Sequence, residues 1–176
     1  MATTMTGRRN IRKASRRLKR VYAVNLGNVI WERLARLLVP RCDMAVSGVA
    51  YRSRQLLHDL ERLSPDIVLL DLDASGKLGI RFIKELVKDK KARVLAISSN
   101  PSPDAAEPAL RAGAAGYILN TEDTDEIVHA IDDVLEGWIY VSDEVLNTLP
   151  KRNAADFFRR KHPPQTDGLR WPCRCR

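Results

Sequence analysis

Ile67-Val68-Leu69-Leu70-Asp71-Leu72 is apolar at consecutive rather than alternate positions, interrupted only by Asp71. A strand with one face in water alternates apolar and polar residues, whereas a strand covered on both faces does not. The run follows the turn signal Ser64-Pro65-Asp66 and is too short for a helix, so it reads as a central strand of a parallel sheet. On its N-terminal side, Leu56, Leu57, Leu60 and Leu63 recur at helical spacing within Tyr51 to Leu63, and Met44 to Val49 reads as a strand. Before these, Val29-Ile30-Trp31, Leu34, Leu37 and Leu38 form a helical stripe opposite Arg33 and Arg36, ended by Pro40. Val21-Tyr22-Ala23-Val24 is a first strand that stops at Asn25-Leu26-Gly27-Asn28.

On the C-terminal side the alternation continues. Asp73-Ala74-Ser75-Gly76 reads as a loop, Leu78 to Val87 as a helix, and Ala92 to Ile97 as a strand closed by Ser98-Ser99-Asn100-Pro101. A helix over Asp104 to Ala112, a strand over Gly116 to Leu119 and a helix over Asp123 to Glu136 follow, the last with Ile127, Ile131, Val134 and Leu135 on one stripe. Five strand–helix units in succession predict an α/β fold, a doubly wound five-stranded parallel sheet with helices on both faces. Ligands of such sheets gather at the carboxyl ends of the strands, which here carry Asn25, Leu26, Asp71, Asp73, Ser98, Ser99 and Asn120.

With 176 residues, 44% hydrophobic and 30% charged, the chain suits one globular domain with short extensions. No apolar stretch approaches the roughly 20 residues that cross a bilayer, and the start lacks the apolar segment of a secretory signal, so a cytoplasmic protein is expected. The formal charge of +8 is unevenly spread. Residues 1–20 hold eight basic and no acidic side chains, residues 150–176 eight basic and two acidic, while the middle is net acidic. Such arms suit a polyanion, nucleic acid above all, and equally suit solvated chain ends. Cys42 reads as a small buried or half-buried residue. Cys173 and Cys175, with only His162 nearby, lack the second ligand pair of a structural zinc site.

Three blocks carry a family resemblance: Pro65-Asp66-Ile67-Val68-Leu69-Leu70-Asp71-Leu72 with Gly76 and Gly79, then Val94-Leu95-Ala96-Ile97-Ser98, then Ala109-Leu110-Arg111-Ala112-Gly113-Ala114-Ala115-Gly116-Tyr117-Ile118-Leu119. The chain resembles a bacterial response-regulator receiver domain of the LuxR/NarL type, a flavodoxin-like fold, from about Lys19 to Leu146. Glu136-Gly137-Trp138-Ile139-Tyr140-Val141-Ser142 resembles the family's segment leading toward its helix-turn-helix. The implied organisation is a basic arm at 1–18, a receiver domain at 19–137, and a linker remnant with a basic tail at 138–176. The 27 residues after Leu149 show no two-helix apolar pattern, so the DNA-binding domain is expected to be absent and the terminus abnormal or that of a stand-alone receiver, with one short helix expected around Asp143 to Leu149 and another around Ala154 to Lys161.

The resemblance makes Asp71 the phosphoacceptor equivalent, Ser98 the hydroxyl that senses the phosphoryl group and Tyr117 the switch aromatic. It also implies a magnesium ion held by an acidic pair after the first strand, and a lysine after the fifth, because two anions meeting in phosphoryl transfer need cations between them. This chain departs there. The acidic pair is Asn25 and Leu26, the lysine is Asn120, the usual Met-Pro is Ala74-Ser75, and the common Asp before Gly is Leu78. Asp73 lies where the family uses a main-chain carbonyl. No resident metal or other cofactor is expected, beyond weak magnesium at Asp71.

These departures point to a pseudo-receiver, not an enzyme, that works by protein association or homodimerisation through the fourth helix, fifth strand and fifth helix, with little or no phosphorylation. Two alternatives stand beside it: a receiver still phosphorylatable at Asp71, and a nucleic-acid-binding regulator acting through the basic arms. The bland readings are a strand-end carboxylate satisfied by loop amides for Asp71, and ordinary fold residues for Ser98 and Tyr117. His58 and His129 read as surface residues, and Glu122-Asp123 and Asp132-Asp133 as cap acids and solvated helix faces.

Overall fold

The computed structural model describes residues 17–50, 53–88, 92–120 and 123–150. Its strands are β1 (Lys19–Val24), β2 (Met44–Ala50), β3 (Ile67–Asp71), β4 (Arg93–Ser98), β5 (Gly116–Leu119) and β6 (Tyr140–Val141). Between and after them run α1 (Asn28–Leu38), α2 (Ser53–Leu63), α3 (Leu72–Ser75), α4 (Lys77–Lys88), α5 (Pro103–Arg111), α6 (Thr124–Glu136) and α7 (Asp143–Thr148). All strand pairs are parallel, in the order β2-β1-β3-β4-β5-β6. The order reverses at β1, so the loops leaving β1 and β3 diverge and open a crevice at their carboxyl ends.

Both faces of the sheet are covered, as the continuous apolar runs require. Val21, Ala23, Ile67, Leu69, Leu95, Ile97 and Ile118 belong to one apolar cluster with Leu34 and Leu38 of α1 and Ile127, Ile131 and Val134 of α6. Tyr22, Val24, Val68, Leu70, Val94, Ala96 and Tyr117 belong to the other, with Leu60, Ile83, Leu86, Ala106 and Leu110. Every residue of β3 is buried, Asp71 included. Helix ends follow local chemistry. Asp123 caps α6 by accepting from the Asp125 and Glu126 amides, and Gly137 closes it at φ 103°, a left-handed conformation that favours glycine.

The doubly wound parallel sheet is as expected, with three differences. A sixth strand adds to the five, because Tyr140 and Val141 pair with Gly116 and Tyr117 of β5. The Asp73–Gly76 segment is not a plain loop: Leu72–Ser75 makes one helical turn, capped by the Asp71 carboxylate and stopped at Gly76, whose φ is 54°. The segment from 138 is no linker, since Val141, Val145 and Leu149 are buried in the second cluster and α7 packs against α5. The packed domain therefore runs past 137 and includes β6 and α7.

Smaller corrections follow from the same packing. Cys42 is exposed, in the turn between α1 and β2. Val29 and Leu37 lie on the open side of α1 while Leu34 and Leu38 take the core. Asp132 is not simply solvated: the Arg41 guanidinium donates to both its oxygens at 2.8 and 2.9 Å, tying the entrance of β2 to α6. His58 and His129 are exposed, as expected. No helix among the described residues is long and apolar enough to cross a membrane. Most of the basic arm and tail, Tyr51, Arg52, Glu122, a second short helix expected at 154–161, His162, Cys173 and Cys175 lie outside the described residues.

Candidate functional site

Asp71 ends β3 beside Ile97 of β4, and the next residue turns into α3. Its side chain is 7% exposed and accepts a 3.0 Å hydrogen bond from the Ala74 amide, the N-cap geometry of a helical turn. Burial pushes the carboxyl above its ordinary value, opposed by the Ala74 amide and reinforced by the negative charge of Asp73. A carboxyl whose folded value is raised favours folding below its unfolded value and loses that contribution as pH rises through the folded value. The contribution of Asp71 to stability is therefore smaller at neutral pH than in acid. Asp71→Asn keeps an oxygen for the Ala74 amide and removes the charge, so it is expected to stabilise the domain by about 1 kcal/mol, a few degrees in Tm. Thermal melts at pH 7 and pH 4 check this; the gain should shrink at the lower pH, and a lower Tm at pH 7 would refute it.

Asp73, one residue into α3, points its carboxylate at the end of β4. Ser98 Oγ donates to Oδ1 at 2.6 Å, and the Ser99 amide donates to Oδ2 at 2.6 Å. Burial alone would raise this carboxyl, but the Ser98 hydroxyl and Ser99 amide together hold it below the usual carboxylate range. Ser98 Oγ also accepts from the Asn100 amide at 3.2 Å, so its donor and an acceptor are both engaged. The Asn100 carbonyl in turn accepts from the Tyr117 hydroxyl at 2.7 Å, and the Tyr117 ring is fully buried. Asp73, Ser98, Asn100 and Tyr117 thus form one connected chain from the loop after β3 to strand β5.

The remaining predicted positions divide. Asn25 follows β1 at φ 57°, a left-handed conformation asparagine tolerates, and its amide nitrogen donates to Ser75 Oγ at 3.0 Å. Leu26, next to it, is fully buried in the cluster lined by α1 and α6. Asn120 donates its main-chain N–H to the Ser98 carbonyl at 2.8 Å, continuing the β4–β5 ladder. The structure therefore brings Asp71, Asp73, Ser98 and Tyr117 into one neighbourhood, places Asn25 at its edge through Ser75, and turns Leu26 into the core.

Three participants escaped sequence reading. Ser75 ends the single turn of α3 and Asn100 sits in the loop after β4, both in segments whose sequence signal was turn composition. Ser142 is fully buried; its hydroxyl accepts from the Leu119 amide at 3.0 Å and donates to Glu126 Oε1 at 2.8 Å. Beside Asp73 lies a cleft of about 220 Å³ lined by Leu72, Gly76, Ile80, Asn100, Asp104 and Pro108 among others.

The oxygen donors can be tested against the magnesium the resemblance implies. Magnesium is hard and bound through carboxylates and water in octahedral geometry. Leu26 offers hydrocarbon, Asn25 one neutral amide oxygen, and both oxygens of Asp73 already accept short bonds. Among the described residues no group of three or more His, Cys, Asp or Glu side chains is placed to share an ion. Of these residues, Asp71 is the one carboxylate left to the pocket, with the Ala74 amide already on one of its oxygens, and this donor set does not fit that ion.

The sequence and the fold both match known proteins. A family model described as the response regulator receiver domain matches residues 27–132. The transcriptional regulatory protein MctR of Rhizobium johnstonii is 32% identical over 132 residues, 74% of this chain and 61% of that protein. The transcriptional regulatory protein YvfU of Bacillus subtilis is 30% identical over 96 residues, 54% of this chain and 48% of its own length. A crystal structure of a LuxR-family two-component response regulator from Aurantimonas sp. SI85-9A1 superposes with a TM-score of 0.69 at 27% identity, covering 78% of this chain and 99% of that one. The chain thus spans about half to three fifths of the length of these curated relatives.

Proposed function

The chain belongs to the response-regulator receiver family, with its likeness running to the LuxR/NarL members, and on that premise we propose that it is a pseudo-receiver: a non-enzymatic signalling domain that acts by protein association with little or no phosphorylation of Asp71. The observation that carries this reading is the fate of the position after Asn25. A receiver's pocket needs an anionic ligand there, and this chain places Leu26 in the apolar core. Asn120 in place of the lysine removes the second cation. An in-line attack by the Asp71 carboxylate on a phosphoryl donor would then bring two anions together with nothing between them.

What remains is shape. A protein partner or a second copy would read the domain through the side that carries α5 and α6, where β6 lies along the outer edge of β5 and takes the place expected for β5 in that face. The whole chain is expected to be cytoplasmic and to hold no resident cofactor. Its basic arms, the basis of the nucleic-acid alternative, lie outside the described residues.

Incubation with acetyl phosphate and magnesium, followed by intact mass spectrometry, tests the proposal. The expected result is no phosphoryl adduct, and no magnesium-dependent change in tyrosine or tryptophan fluorescence when beryllofluoride is added. A stoichiometric adduct that Asp71→Asn abolishes would overturn it.

A further inference from the structure

Resting on that reading, we propose that Asp73 is a built-in surrogate for the phosphoryl group, its carboxylate holding Ser98 and the β4–α5 connection in one fixed signalling arrangement. Three features of the geometry support this. The first is that the carboxylate is bidentate: one oxygen takes the Ser98 hydroxyl and the other the Ser99 amide, each at 2.6 Å. Bonds to an ionised acceptor are shorter and about twice as strong as neutral ones, and two on one carboxylate fix direction as well as distance.

The second is the identity of the groups so engaged. The resemblance makes the Ser98 hydroxyl the group that senses a phosphoryl group on Asp71, and here an anion of the chain itself already holds it. Asp73 reaches it from α3, the helical turn directly after Asp71. In a receiver that uses only the main-chain carbonyl at this position, the hydroxyl stays available to an external anion.

The third is where the constraint goes. Ser98 Oγ accepts from the Asn100 amide, the Asn100 side chain accepts from the Ser102 amide at 2.9 Å, and the Asn100 carbonyl accepts from Tyr117. From the other side, the single hydroxyl proton of Thr148 in α7 is shared between the Pro101 carbonyl at 2.9 Å and the Val145 carbonyl of its own helix at 2.8 Å. The connection between β4 and α5 is therefore anchored at Ser98, Ser99, Asn100 and Pro101, and the buried position of Tyr117 on β5 is tied to the same anchors. A two-state switch responds to a ligand only through differential binding to its states. Here the differential contact is covalently part of the chain, so the arrangement is held without a ligand.

Amide hydrogen exchange on the full chain, resolved by mass spectrometry of peptides spanning Ser98 to Asp104, reads the proposal directly. In Asp73→Ala, exchange in this segment should rise about ten- to hundredfold, the range expected on losing a charge-assisted anchor, while β1 and β3 stay unchanged. Asp73→Asn, which keeps size and one acceptor oxygen but no charge, should give a smaller rise. Formate, a free carboxylate able to enter the space left by Asp73→Ala, should restore part of the protection where sodium chloride of equal ionic strength does not. That rescue would assign the anchoring to a carboxylate at this place rather than to the bulk of the side chain. Unchanged exchange at Ser98 to Asp104 in Asp73→Ala, or an equal rise throughout the domain, would overturn the surrogate. A phosphoryl adduct on the unsubstituted chain would instead remove the reading of Asp71 and leave this result standing.

Discussion

Leu26→Asp, the substitution that would rebuild half of the family's acidic pair, is expected to destabilise the domain by about 4 kcal/mol or more and to gain no magnesium response. The Leu26 side chain is fully buried in the cluster that also holds Leu34 and Leu38 of α1 and Ile127 and Ile131 of α6. Removing a buried leucine costs about 2–5 kcal/mol through lost transfer and the cavity left behind. The incoming carboxylate would add the cost of an unpaired buried charge, or of being held protonated in apolar surroundings. Leu26→Met, which keeps volume and polarity, should cost under about 1.5 kcal/mol. Urea denaturation of the three proteins, with and without magnesium, measures this. A loss below about 1 kcal/mol together with a magnesium-dependent rise in Tm would mean that the position faces the crevice and the pocket is one substitution from working.

That residue also marks how far sequence could carry the site. The runs Val21–Val24, Ile67–Leu70 and Val94–Ile97 announce strands covered on both faces, since nothing else makes four consecutive residues apolar so briefly, and the sheet follows from them. Asp71, Ser98 and Tyr117 could be placed because strand ends locate them. Side-chain direction beyond a strand end is another matter. Asn25 and Leu26 read as two adjacent loop residues, yet the left-handed turn at Asn25 sends one toward Ser75 and the other into the core. Asp73 was visible as an extra carboxylate, but its partnership with Ser98 spans 25 residues and depends on α3 forming, a single turn with no periodicity to detect. The same holds for Tyr22, whose hydroxyl donates to Asp59 at 2.6 Å across 37 residues, and for Cys42, left exposed because the turn there buries no side of the chain.

Ending the chain after Gly137 is expected to lower Tm by about 10–20 °C relative to ending it after Pro150, or to abolish cooperative unfolding. Apart from the short helix expected around Asp143 to Leu149, the segment between those points reads as a linker in sequence, because Tyr140 and Val141 are too few to show strand periodicity and Ser142 is unremarkable as a residue type. In the fold it performs three jobs at once. Val141, Val145 and Leu149 are buried in the cluster that also contains Tyr117, Ala106 and Leu110, so their loss uncovers apolar surface on β5 and α5. Tyr140 and Val141 pair with Gly116 and Tyr117 along the outer edge of β5, and the close approach there requires Gly116: a Cβ would stand 2.7 Å from the Tyr140 carbonyl. Ser142 satisfies the Leu119 amide and donates to Glu126, joining the end of β5 to α6. Stripping a buried donor of its partner costs about 1–3 kcal/mol, and exposing three buried aliphatic side chains adds several more before the entropy of the freed segment offsets part of it. Because β5 carries Tyr117 and α7 holds the Pro101 carbonyl through Thr148, the same segment also braces the connection that Asp73 grips from the opposite end. A shortened chain that melted at the temperature of the longer one would show that β5 holds its place without β6 and α7, and would return the domain boundary to Gly137.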